Sequence, residues 1–569
     1  MRLNFVQVAL GRYILYSLLH KGSSSYVFTK LARVGLTVAA MVMGATTFAL
    51  AETTATPVYT LPTVAQEAQT PKPKPSPNPF SYHGYIRAYD FTRQNAYSSY
   101  GVPSGVGGKA NQSSENNAIS LSGNYAFEGS GFSVGGSYLY ANPFNNCSNP
   151  ATASSSLPGP CGTKSVPPGL NPDTTLPQFE MSTLYEAYVK YSGNGLGFEG
   201  GNMAYGTPWT PTSDSRLKPV AYQGADLSYK INPNWTVEAM DFWQWECRTC
   251  SNFDQGTLLT ALAPGGYTYS GATAYSSLYY DPTETTYKTA GTFYARVGYV
   301  GPKDLPLTAN LYYYDFQNIA DAWWLDAKYA MGTSKLHPYV ALQTGTESAP
   351  SDDILGKIQS SIFGMQVGFN PMTNVLLSAG FDTIPWKTDT ITLPAGITCN
   401  ANTHQLASAK AYNYNMPYFL PTGGSAQCTA DNKAGTVADV YYGGWASPYT
   451  DSYVTDPTFV TSGTTGLIDR RGGGSAVKAQ ATFTSDNKQF WVQVGQTWYD
   501  FSNSGYATST NATDFDTQYF FMKVPKSGPY KGLSFRFRSF SRSATNFPAP
   551  GNAIAGLFKY NRFQLEYDF

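Results

Sequence analysis

Arg536, Arg538 and Arg542 share one parity of the segment LSFRFRSFSR, while Leu533, Phe535 and Phe537 hold the other. An extended chain sends alternate side chains to opposite faces, so the guanidiniums line one face and the apolar groups the other. Aligned guanidiniums bind carboxylates or phosphates through paired hydrogen bonds. The same parity argument isolates Lys478 from Val477, Ala479, Ala481 and Phe483, and Arg562 from Phe563, Leu565, Tyr567 and Phe569; Arg87 and Arg296 are counted with them. A second set, Glu186, Asp226, Glu238 and Asp326, mixed with Lys190, Lys230 and Lys328, forms a more acidic lining.

Other reactive side chains are sparse. Six cysteines fall as neighbours, Cys147 with Cys161, Cys247 with Cys250 and Cys399 with Cys428, and in an oxidising compartment this spacing predicts three loop disulfides. Cys247-Arg-Thr-Cys250 lacks the βαβ context of a redox motif. His20, His83, His337 and His404 have no ligand spacing, so neither a metal nor a cofactor is expected, and no hydrolase pairing of Ser with His emerges. The chain is read as a non-enzyme. Equal numbers of acidic and basic residues, 37 each, argue against nucleic-acid binding.

The elements that must carry these residues are strands. Only 13% of the 569 residues are charged while 15% are aromatic, with 54 Gly and 44 Tyr, and from Ser81 onward the dominant period is two. Short turns at Glu128–Gly131, Ser192–Gly195, Asn232–Asn234 and Ser485–Lys488 trade places with long Ser/Thr/Gly/Pro-rich loops. The expectation is all-β: an 18-stranded antiparallel transmembrane β-barrel with short periplasmic turns and long extracellular loops, running from a strand at 81–92 to one at 556–569. Strands are placed among others at 118–127, 286–299 and 516–524. In a closed barrel the apolar parity meets lipid, and a charge facing mid-bilayer costs about 2–4 kcal/mol, so the charged parity lines the lumen. The two linings would then oppose each other and orient a dipolar solute.

The ends read separately. Val34–Ala51 is apolar, follows Lys30 and Arg33 and closes on Ala49-Leu50-Ala51, so residues 1–51 are expected to be a secretory signal with an extended leader or an internal start. Residues 52–80, with PKPKPSPNP at Pro71–Pro79, are expected to form an extended periplasmic tether, because proline fixes φ and lacks an N–H. Residues 81–569 form the barrel.

Ala204–Gly224 is too proline-rich for a strand and is expected to fold inward. Its DSRLKP (Asp214–Pro219) followed by AYQG (Ala221–Gly224) resembles the signature of the OprD-like family of substrate-specific porins. YIRAYDFTRQN (Tyr85–Asn95) and Asn116–Tyr140 resemble that family's first three strands. The resemblance implies an outer-membrane channel with a constricting loop bearing Asp214, Ser215 and Arg216, a basic ladder that includes Arg87, and passive uptake of small carboxylate-bearing or zwitterionic solutes such as amino acids, peptides or aromatic acids. Its surroundings would be outer-membrane lipid and lipopolysaccharide, as a monomer or loose homotrimer. Lys218 stands where the family commonly has an apolar residue, and the loop from Ile384 to Gly472 is longer than the family pattern. A second reading is an adhesin or assembly barrel acting through that loop.

Overall fold

The structure is a computed structural model that describes residues 79–95, 111–143, 170–171, 176–177, 180–210, 216–246, 248, 251–253, 291–317, 320–332, 334, 336–348, 359–385, 388–391, 397–400, 405–408, 438–441, 449–450, 474–486, 490–500, 511–521, 531–545 and 558–569. All belong to one compact unit, Thr56–Phe569. The expected signal, most of the tether and all cysteines except the backbone of Cys399 lie outside them. Among the described residues no helix is long and apolar enough to cross a membrane.

In chain order the wall contains β1 (Phe80–Asn95), β2 (Asn111–Ala126), β3 (Phe132–Pro143), β4 (Met181–Gly193), β5 (Leu196–Met203) and β6 (Ala221–Lys230). It continues through β7 (Trp235–Glu246), β8 (Thr292–Val300), β9 (Leu307–Phe316), β10 (Ala320–Ala330), β11 (Tyr339–Ser348) and β12 (Gln359–Met372). The last third is β13 (Val375–Ile384), β14 (Gly474–Thr484), β15 (Phe490–Asp500), β16 (Asn511–Phe521), β17 (Leu533–Thr545) and β18 (Phe558–Asp568). Each pairs antiparallel with the next. β18 then pairs antiparallel with β1, from Tyr85 opposite Asp568 to Asn95 opposite Phe558. The sheet's one further strand, Leu170–Asn171, lies parallel to the start of β2. Two small two-stranded sheets, Thr388–Ile391 with Ala438–Tyr441 and Ile397–Asn400 with Gln405–Ser408, belong to the long connection after β13.

Most tight connections sit at the rim that carries Phe80 and Phe569, the short one between β9 and β10 being at the other. Between β4 and β5 the chain reverses at Asn194-Gly195, with φ of 52° and 79°, the paired positive values that a two-residue hairpin turn with matching twist demands. Between β6 and β7, Asn232 Oδ1 accepts the N–H groups of Asn234 and Trp235 at 2.9 and 3.0 Å. Aromatic pairs gather at this same rim: Phe80 with Tyr82, Tyr125 with Phe127, Phe132 with Tyr191, Trp235 with Tyr299 and Tyr567 with Phe569. Rings at this level form the girdle that a barrel presents to a membrane interface.

Exposure is inverted relative to a water-soluble protein. Ile86, Leu121, Leu184, Phe363, Phe563 and Leu565 point outward and are exposed, whereas Arg87, Glu238, Lys478, Arg538 and Arg562 point inward and are buried. Such an arrangement is stable only when the outer face meets hydrocarbon.

Two strands start earlier than alternation suggests: β2 at Asn111 instead of Ala118, and β16 at Asn511 instead of Asp516. NQSSENN reads as loop because its residues favour turns, yet Arg93 to Asp90 of β1 pair with Gln112 to Glu115 there. A ladder that continues past the apolar belt has no lipid-facing side to enforce a hydrophobic pattern. β8 errs the other way, beginning at Thr292 where 286 was expected.

The seam depends on Gly84. Its N–H and carbonyl exchange bonds with Phe569 at 3.1 and 2.9 Å, and a Cβ there would meet Ser120 O at 2.5 Å and the Phe569 ring at 2.7 Å. Gly84→Leu is expected to destabilise closure by about 1–3 kcal/mol. Loss of the fast-migrating folded band at a lower temperature in heat-modifiability gels measures it.

Candidate lumenal site and the inward loop

The connection between β5 and β6 turns into the barrel. Its first part is knotted by Thr207 and Thr210, whose hydroxyls lie 2.5 Å apart and whose backbones exchange a 3.1 Å bond from Thr207 N to Thr210 O. Beside this turn Trp209, fully enclosed, meets Trp324 of β10 edge-on at 5.1 Å. Tyr205 lies 6.4 Å from Tyr294 of β8, which begins a stack through Tyr312 and Tyr314 to Phe316 on β9. These aromatics share the inward parity and give the loop a dry seat.

Its second part is fastened elsewhere. Arg87 Nη1 of β1 donates to the carbonyl of Arg216 at 2.5 Å, and Tyr85 Oη donates to that of Leu217 at 2.7 Å. Arg87 Nε lies 2.5 Å from Glu566 Oε2 on β18, so one guanidinium joins the seam strand to the loop. The Arg216 guanidinium packs 5.2 Å from the Phe91 ring centroid. Lys218 Nζ meets Glu246 Oε1 at 3.1 Å, with both side chains fully enclosed and Arg248 buried nearby. Burial pulls the Lys218 ammonium down to about 8, Glu246 opposing this and Arg248 adding to it. β10 and β1 stand on opposite sides of the ring, so the loop crosses the lumen. Asp214 and Ser215 lie outside the described residues.

On the seam side, Arg538 of β17 and Arg562 of β18 face each other across one rung, both buried, and Arg536 faces Gln564 one step away. Arg562 in turn faces Phe91 of β1, under the Arg216 guanidinium. Lys478 is buried on β14. The backbone of Arg542 pairs with Phe558, while its side chain lies outside the described set. Arg296 does not join this arc. It lies on β8 opposite Glu238, its Nη2 2.5 Å from Glu238 Oε2, so it neutralises the acidic wall instead of extending the basic one.

The acidic side is correspondingly mixed. Glu186 accepts from Ser137 Oγ, and from the N–H of Ala204 at 3.3 Å. Lys190 pairs with Glu199 at 3.2 Å, and Glu199 faces Asp226 across the next rung. Asn310 donates to Asp326 at 2.9 Å, and Lys328 lies over the Tyr339 ring at 4.2 Å. Sequence reading passed over Glu199, Glu246, Asp382 and the loop-anchoring role of Tyr85. Parity alone would have put all four inside; partners depend on register, which parity lacks. Among the described residues no group of His, Cys, Asp and Glu is placed to hold a metal.

Tyr449 and Thr450, from the long connection after β13, also pack against the inner wall. Thr450 Oγ1 donates to Asp382, Thr497 Oγ1 donates to the Thr450 carbonyl at 2.7 Å, and Tyr449 packs against a buried cluster of Tyr339, Ala341 and Leu376. Burial pushes the Tyr449 hydroxyl up from its ordinary range.

Breaking a buried ion pair from one side strands the other charge at a cost of about 3–5 kcal/mol, less where one partner keeps some exposure, as Glu566 does. Arg87→Met is therefore expected to destabilise the barrel more than Arg87→Met combined with Glu566→Leu, read as thermal unfolding midpoints in detergent. Equal losses would mean that Arg87 acts only through the loop.

No family model matches the chain, and no curated protein matches it. Solved structures do. Pseudomonas aeruginosa OccK9 (OpdG) superposes with a TM-score of 0.55 at 12% identity, over 86% of this chain and 98% of that one. Acinetobacter baumannii OccAB3 gives 0.56 at 10% identity, over 86% and 99%. Pseudomonas aeruginosa OpdK, solved with vanillate, gives 0.52 at 12%, over 86% and 98%. At such identities the likeness speaks for architecture, and the architecture of this chain is that of the OprD-type outer-membrane porin barrels.

Proposed function

We propose that this chain is an outer-membrane porin through which small carboxylate-bearing or zwitterionic solutes diffuse passively, oriented by opposed charges. The observation that carries the reading is the Arg538–Arg562 rung, two inward guanidinium positions facing each other beneath the loop that brings in Arg216. A guanidinium presents paired N–H donors whose spacing matches the two oxygens of a carboxylate, so two such groups on one rung suit a carboxylate-bearing solute. Away from this arc, Asp226, opposite the Glu199 that Lys190 joins, offers a complementary seat for an ammonium group. Two of the similar structures hold carboxylates, vanillate in OpdK and glucuronate in OccK2, which favours the same class of solute here. The reading contains no catalytic step. Outward apolar residues would face lipid, with lipopolysaccharide around the opposite rim.

Planar-bilayer recording and liposome swelling with neutral sugars, aromatic acids and cationic, anionic and zwitterionic amino acids test it. Carboxylate-bearing solutes should outpace sugars of equal size. Arg538→Ala with Arg562→Ala should lower that advantage about tenfold while sugars keep their rate. Absence of conductance steps in the wild-type protein would overturn the channel reading, and a preference for sugars would overturn the charge-oriented one.

A further inference from the structure

We propose that the buried Lys218–Glu246 pair is a positioning device that sets the aperture of the lumen by fixing where the inward loop leaves the wall; this rests on the porin reading above. Glu246 ends β7 and faces Ala221, the first residue of β6, across the first rung of that pair. Lys218 lies just before that rung and folds back so that its Nζ reaches Glu246 Oε1 at 3.1 Å. The setting is dry: Leu217, Val220, Ala221 and Tyr222 are fully enclosed and Trp245 nearly so.

In such surroundings two opposite charges attract strongly, yet the cost of taking them out of water cancels much of that gain, so the pair adds little net stability. Its geometry is demanding all the same. Moving the loop outward by a few ångströms would leave two ions buried apart, which is far more costly than separating apolar groups. Two residues upstream, Arg216 holds its guanidinium over Phe91, and the carbonyls of Arg216 and Leu217 are held by Arg87 and Tyr85 on β1. Three consecutive residues are thus fixed to two different walls, β1 and β7. The ion pair removes the remaining freedom of this segment to rock toward or away from the Arg538–Arg562 rung, and so determines the width left open beside it.

The test uses the full chain with Lys218→Met and Glu246→Gln, each first checked for a heat-modifiable folded band, then compared with wild type in single-channel recordings and in swelling with a neutral sugar. Conductance and sugar flux should both rise about twofold, with added open-channel noise, because a displaced loop widens the path for every solute. The sugar separates position from charge, since a purely electrostatic effect leaves neutral flux unchanged. Wild-type channels accompanied by folded variants with wild-type conductance, noise and sugar flux would overturn the positioning role and leave the porin reading standing; a wild type without channels would instead remove the porin reading. Should the two neutralised forms not assemble, Glu246→Asp decides. It keeps the charge and shortens the arm, so altered conductance with added noise is the expected result and unchanged traces overturn the proposal.

Discussion

Hydrocarbon supplies no hydrogen bonds, so every backbone N–H and C=O at membrane depth must find its partner within the wall. The run of bonds between β18 and β1, ending at Gly84 and Phe569, meets that requirement at the seam by joining residues from the two ends of the barrel sequence. Everything else follows from that closure. A sheet with no edge has an inside and an outside, and only then does strict alternation acquire meaning, with one parity apolar for lipid and the other polar for the lumen. The exposed Leu565 and the buried Arg562 differ by parity and by nothing else in their local chain.

Closure also explains how much could be seen in advance. Alternation marked the wall strands to within a few residues where they cross the apolar belt, as with β4, β6 and β17. It placed Arg87, Arg538 and Arg562 inside because their neighbours Ile86, Phe537 and Phe563 had to face out. It faltered where both faces of a strand are wet, at the starts of β2 and β16. Partnership was less legible than direction. Arg296 has the right parity for a cationic lining, yet its register opposite Glu238 ties it to the acidic arc, and register is decided by which turns close which hairpins. The docking of Tyr449 and Thr450 against β13 and β15 was illegible for a different reason: contacts between a long loop and a distant wall leave no periodic trace in the chain.

Within the lumen, buried charge is organised by neighbours more than by overall balance. Glu238 with Arg296, Arg87 with Glu566 and Lys218 with Glu246 are local pairs, each joining segments far apart in sequence or on separate strands. They hold geometry beside the buried apolar clusters of the inner face, such as Tyr89, Phe91, Leu139 and Leu217. At the Arg538–Arg562 rung the register brings two guanidinium-bearing positions opposite one another.

The inward loop can be viewed mechanically. A hydrogen-bonded ring of strands resists stretching around its circumference but ovalises with little resistance, since bending spreads over many small changes of twist. The inward loop is fastened through Trp209 to β10, through the carbonyls of Arg216 and Leu217 to β1 on the opposite side of the ring, and through Lys218 to β7. It therefore acts as a tie rod as well as an obstruction, holding the cross-section of the wall against lateral pressure from the surrounding lipid.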